Sequence, residues 1–159
     1  MKKYITLEPR EIRFKNEKGD DMPGEDGLMT WKRFFHKIED HPKWATTYKL
    51  TRYMTEIWES FWAATKERCD WVMELGEEAY KELEAACQTP KYQVIHQIHG
   101  PQEISGWAIH ARLNCQMIVF PKAVINAVDE DPRKKEEIDP EKERALLNEE
   151  KKSKKEKAA

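Results

Sequence analysis

Glycine and serine are scarce in this chain: its 159 residues hold six glycines and three serines. The glycines form no Walker-type loop and no dinucleotide fingerprint, so the usual backbone cradle for phosphate groups is missing. None of Ser60, Ser105 and Ser153 sits in a Gly-x-Ser-x-Gly elbow, which leaves no signature of a serine hydrolase. Cys69, Cys87 and Cys115 are odd in number and widely spaced, a pattern that fits reduced thiols in a cytosolic protein better than a disulfide framework. Long apolar runs are absent as well. Met117–Phe120 is among the longest, far short of the roughly 20 residues a membrane-spanning helix needs. The opening residues carry two lysines with no apolar run behind them and do not read as a secretory signal. The expectation is a cytoplasmic protein with no membrane contact.

What the chain has in abundance is charge, and it is unevenly placed. Asp129–Ala159 contains 11 acidic and 10 basic residues in 31 positions. Such a segment has too little apolar surface to offset its ordering entropy. The remaining 128 residues carry 18 basic and 19 acidic side chains and are close to neutral. A near-neutral body argues against nucleic acid as the partner, because phosphate backbones are held by net basic faces. The carboxylates of Glu77, Glu78, Glu82 and Glu84 fall on a solvent face, and no acid–base pair stands out among them. No catalytic set and no cofactor is implied.

Periodicity and breakers divide the body. Tyr4–Leu7 and Glu11–Phe14 read as short strands around a turn at Glu8-Pro9-Arg10, and residues 19–27 are loop by composition. Thr30 is a fit N-cap for a helix whose apolar face is Trp31, Phe34, Phe35 and Ile38. His41-Pro42 ends it. A second helix runs from about Thr47 to Arg68, with Leu50, Met54, Ile57, Trp58, Phe61 and Trp62 spaced by three and four. Trp71–Leu75 is extended. A third helix covers Glu77–Gln88, its two leading glutamates favourable to the helix dipole. Residues 91–103 stay ambiguous, and a fourth helix spans about Glu103 to Val128, kinked or split at Pro121. The predicted fold is mainly α: a helical body of about four helices (28–128), a short N-terminal β-hairpin or extended arm (1–27), and a charged tail (129–159) that is disordered or loosely helical.

All six tryptophans lie in the body. The stripe Trp58, Phe61 and Trp62, with Trp31 and Phe35 as neighbours, reads either as core or as a partner-binding face. Tryptophan enrichment in binding hot spots favours the second more than usual. His96 and His99, with His110 and Cys115 further on, are weak candidates for a metal site. Positions 96 and 99 share a face only on a helix, and Gly100-Pro101 argues against one there. The lysine-rich end Lys151–Lys157, net +4, is a third candidate feature, suited to nucleic acid.

Three segments carry a likeness: Thr30–Phe35 leading to an aromatic helix, Trp71–Leu83, and Ala111–Leu113 followed by Phe120–Val128. Together they resemble small tailed-phage tail-morphogenesis proteins, tail assembly chaperones among them. The resemblance implies a non-catalytic role, holding or positioning a larger phage structural protein through apolar and aromatic contacts in the bacterial cytoplasm. The leading expectation is therefore a non-enzymatic protein–protein interaction factor using Trp31, Phe35, Trp58, Phe61 and Trp62. A metal-binding protein built on His96, His99 and His110, or a nucleic-acid accessory using the lysine-rich end, are the alternatives.

Overall fold

The computed structural model describes residues 1–105, 107, 115–134 and 148, with residues 91–94, 96 and 102–105 described by backbone alone. Strand β1 (Lys2–Thr6) opens the chain, followed by β2 (Glu11–Arg13), β3 (Leu28–Thr30) and helix α1 (Trp31–Glu39). A 3-10 turn (Pro42–Ala45) leads to α2 (Tyr48–Trp62), which runs on into a π-helical turn (Ala63–Glu67). Then come β4 (Val72–Gly76), α3 (Glu77–Cys87), the strands β5 (Lys91–His96) and β6 (Gly100–Ser105), and α4 (Val119–Ile125).

Local chemistry accounts for the helix ends. Thr30 Oγ1 accepts from the Arg33 amide and Thr47 Oγ1 from the Leu50 amide, each satisfying a donor left over in a first turn. Pro42 stops α1 and opens the next turn, where His41 Nδ1 accepts from the Lys43 amide. Pro121 is the third residue of α4, within the first turn, where a missing N–H costs no helical bond.

The expectation of a mainly helical domain is corrected by the strands. Among the described residues, three two-stranded antiparallel ladders accompany the helices, and the domain is a small mixed α/β one. Residues 91–105, read as ambiguous and then helical, form the β5–β6 hairpin, with His96 opposite Gly100 and Gly100 at φ 72°. Nor is the N-terminus a self-paired hairpin or an arm. β1 pairs with β4, setting Ile5 opposite Met73, while β2 pairs with β3, setting Ile12 opposite Met29. The physical reason is burial. Ile5, Leu7 and Phe14 are all 0% exposed, and a two-stranded hairpin by itself has no interior in which to hide them.

Both sides of the β1–β4 pair are closed. On the far side of β4, Ser60 Oγ donates to Glu74 O at 2.6 Å and accepts from Glu74 N at 3.0 Å, so α2 takes the place of a third strand. On the far side of β1, Val128 exchanges two backbone bonds with Tyr4, 2.9 and 3.0 Å long. The core between these layers joins α1, α2, α3 and α4 through Trp31, Phe34, Phe35, Phe61, Leu83 and Phe120. The expected disorder or loose helix of the tail falls on residues outside the described ones, apart from Asn148 and the first positions after Val128.

Two substitutions test this architecture. Phe14→Ala should destabilise the whole domain by about 3–5 kcal/mol, the usual cost of emptying a large core site. A near-neutral result in chemical denaturation would return the N-terminus to a dispensable arm. Ser60→Ala should cost about 1–3 kcal/mol by leaving two backbone groups of Glu74 unpaired, read as an earlier midpoint with an unchanged denaturant slope.

Candidate partner-binding face

The tryptophans divide into two groups by position. Trp31, Trp44 and Trp107 are buried, and each indole N–H is tied to a main-chain carbonyl: Pro9 O at 2.7 Å, Ile38 O at 2.8 Å and Cys87 O at 2.8 Å. This is the expected way to bury a ring with a polar edge. Trp58, Trp62 and Trp71 are half-buried and reach the surface.

Trp58 and Trp62 stand one turn apart on α2, the spacing that brings side chains together on a helix. Their rings stack at 5.9 Å with planes 22° apart. Phe61 turns inward between them and packs on Phe35 at 5.3 Å. Two lysines and a histidine ring lie against the outer rings. Lys66 Nζ lies 4.4 Å and Lys32 Nζ 5.6 Å from the centre of Trp62, and the His36 ring is 4.7 Å from Trp58. Trp58 Nε1 donates to Glu39 Oε2 at 2.9 Å, the same carboxylate oxygen that approaches His36 Nδ1 at 3.6 Å.

The chain then bends sharply. The π-helical turn closes with Arg68 N donating to Ala63 O, and Cys69 and Trp71 both adopt φ 57°. A left-handed conformation costs a non-glycine residue roughly 1–2 kcal/mol, so it persists only where surrounding contacts enforce it. For Trp71 these are its amide on Ala64 O at 3.1 Å and its carbonyl accepting from Leu7 N at 2.9 Å. The bend brings Trp71 beneath the Arg10 guanidinium, 4.5 Å from the ring centre. Between them and α1 opens a cleft of about 370 Å³ lined by Arg10, Glu11, Thr30, Trp31, Lys32, Phe61 and Trp71.

The five predicted contact residues are thus separated by depth. Trp31, Phe35 and Phe61 belong to the core, at 1%, 0% and 3% exposure, while Trp58 and Trp62 are half-buried. Arg10, Lys32, Lys66 and Trp71 complete the surface and were not picked out by sequence reasoning. Lys66 was legible, four residues after Trp62 on the same helical run. The pairing of Arg10 with Trp71 was not, since it arises from the tertiary bend. Of the weak metal candidates, His110 and the side chain of His96 lie outside the described residues, whereas His99 and Cys115 are exposed. Among the described residues no three His, Cys, Asp or Glu side chains are grouped to hold a metal ion. No described helix is long and apolar enough to cross a membrane.

A second charged cluster fastens the segment after Val128. Arg133 donates to Asp70 Oδ2 at 2.8 Å and to Asp131 Oδ2 at 2.8 Å, and also to Glu74 Oε1. Its hydrogen bonds hold the Asp131 carboxyl down to about 2 and lower that of Glu74. Burial pushes the Asp70 carboxyl up, but Arg133, the Val72 amide and Arg68 together outweigh it and leave it lowered. These carboxylates bind protons less readily folded than unfolded, so the contact is intact above the ordinary carboxylate range and is lost as pH falls toward about 2. Hydrogen exchange should show the Val128 amide losing protection across that acid range. In Arg133→Gln that amide should be weakly protected already at neutral pH, and identical protection in the two proteins would sink the assignment.

No family model, no curated protein and no solved structure matches this chain.

Proposed function

We propose that the protein is a non-enzymatic protein–protein interaction factor that docks its partner on the face formed by Trp58 and Trp62. The observation that carries this reading is a stacked tryptophan pair at the surface whose inner side is continuous with the aromatic core. Half-buried tryptophans with fixed rings lose little conformational freedom on binding and dominate interface energetics. Trp71, held in place by its strained backbone, extends the surface. The finer reading takes the partner to be a larger structural protein, held or positioned without chemical change. It makes the chain a tail assembly chaperone or virion-morphogenesis accessory, and it rests on the resemblance carried by residues 30–35, 71–83, 111–113 and 120–128.

The test is recovery of the partner after crosslinking in cells that naturally express the protein. Wild type should retain a stoichiometric partner. Trp62→Ala should weaken that complex by about 2 kcal/mol, roughly 30-fold in affinity, as expected for an interface anchor, with an unchanged circular dichroism spectrum. Equal recovery by both proteins would remove this face from the reading, and a protein that turns over a substrate without any partner would remove the reading itself.

A further inference from the structure

The cations on the tryptophan face are placed differently from many others on the molecule. Lys3 is paired with Asp129, Lys43 with Glu82, Arg68 with Asp70 and Lys81 with Glu77. Lys3 and Lys43 also lie over rings, those of Tyr80 and Trp44, but Arg10, Lys32 and Lys66 lie over indoles with no carboxylate partner among the described residues. Lys32 joins the two parts of the surface, since it lines the cleft beside Trp71 and also reaches over Trp62. The result is one continuous strip in which aromatic rings lie beneath and positive charge points outward. Glu11 is the one carboxylate among the cleft's lining residues, and Glu39 at the far end is engaged by Trp58 and His36.

We infer that the partner segment seated on this strip is acidic, a stretch of polypeptide with carboxylates on either side of an aromatic or aliphatic residue. This inference rests on the protein-binding reading above. The carboxylates meet Arg10, Lys32 and Lys66, and the apolar side chain enters the cleft between Lys32 and Trp71. Three facts select this occupant. The cleft, about 370 Å³, is at the small end of ligand pockets and suits a side chain better than a large cofactor. Its floor of Trp31, Phe61 and Trp71 is apolar, so a purely charged segment would leave it unfilled. The cations need charge of opposite sign to complete them once the surface is covered.

Single-stranded nucleic acid fits less well, although aromatic rings beside basic residues are its usual platform. Bases need a free ring face for stacking. Here Trp62 is stacked on Trp58 and overlain by two lysines, and Trp71 is covered by Arg10. What the strip offers outward is ammonium and guanidinium groups.

The test uses the full chain and three labelled probes: short synthetic peptides alternating Asp and Glu with Phe, Trp and Leu, the same peptides with Lys for each acid, and a thymidine oligonucleotide. Fluorescence anisotropy should show saturable binding of the acidic peptides alone, weakening as salt shortens the range of the charges. The double variant Lys32→Glu/Lys66→Glu should lose about tenfold or more in affinity, the scale of two reversed charge contacts at an interface rim. Lys32→Gln/Lys66→Gln, which adds no new charge, should fall between it and wild type and serves in its place if the reversal disturbs the thermal melt. Equal binding by the double variant, tighter binding of the lysine peptides, binding of the oligonucleotide alone, or no binding at all would each overturn the inference. Recovery of the natural partner separates the two levels. A partner lost by Trp62→Ala but kept by the lysine double variant ends the acidic-segment inference and leaves the interaction reading standing. A partner kept by both ends the acidic-segment inference and removes the tryptophan face from the interaction reading.

Discussion

The pairing of β1 with β4 is the contact on which the remaining structure depends. It joins residues 2–6 to residues 72–76, and the first four helical elements lie within the loop it closes. Closing so long a loop carries an entropy cost that grows only slowly with length. That cost is offset because both edges of the pair are occupied and one face is buried. Ile5, Met73 and Leu75 point into the core, Ser60 occupies the free main-chain groups of Glu74, and Val128 completes the other side at Tyr4. Arg133 then reaches back to Glu74 and Asp70. The C-terminal segment therefore docks on a surface that exists only once the first residues of the chain have found their partner.

The candidate binding face is an outgrowth of the core. Trp31 packs edge-on against Phe120 at 4.8 Å, Phe34 stacks on Phe120 at 5.5 Å, and Phe35 links Phe34 to Phe61 and Trp58. From there the contacts pass to Trp62 at the surface. Rings packed in this way have few alternative orientations. The exposed tryptophans are thereby fixed before any partner arrives, and a preorganised contact surface spends less of its binding energy on ordering itself. The π-helical turn and the left-handed Trp71 have the same consequence at the other end, where local strain sets the ring beneath Arg10.

Spacing alone could not sort these aromatic residues. Trp58, Phe61 and Trp62 share one helical stripe, but a stripe wider than the contact it makes has edges that remain wet. Phe61 lies at its centre and is covered by Phe35, whereas Trp58 and Trp62 lie at its margins. Trp31 and Phe35 follow a helical period too, and their depth comes from Phe120 of α4 over Trp31 and from Phe61 and Trp58 of α2 against Phe35. Ser60 lies in the same helix among these aromatic residues. Its value lies in facing an unpaired strand edge, and that edge is visible only in three dimensions.

What the sequence determined by itself was local. The cap at Thr30, the start of α2 near Thr47, the stop at His41-Pro42, the extended character of residues 4–6 and 72–75 (Trp71 before them is left-handed), and the amphipathic run of α2 all follow from interactions within a few positions of one another. Only the tertiary structure decided that β1 pairs with β4, which tryptophans are covered, and that Arg10 and Lys32 lie over two of them. A strand's hydrogen-bonding partner and a ring's depth are set by residues many tens of positions away, and neither leaves a periodic trace in the segment itself.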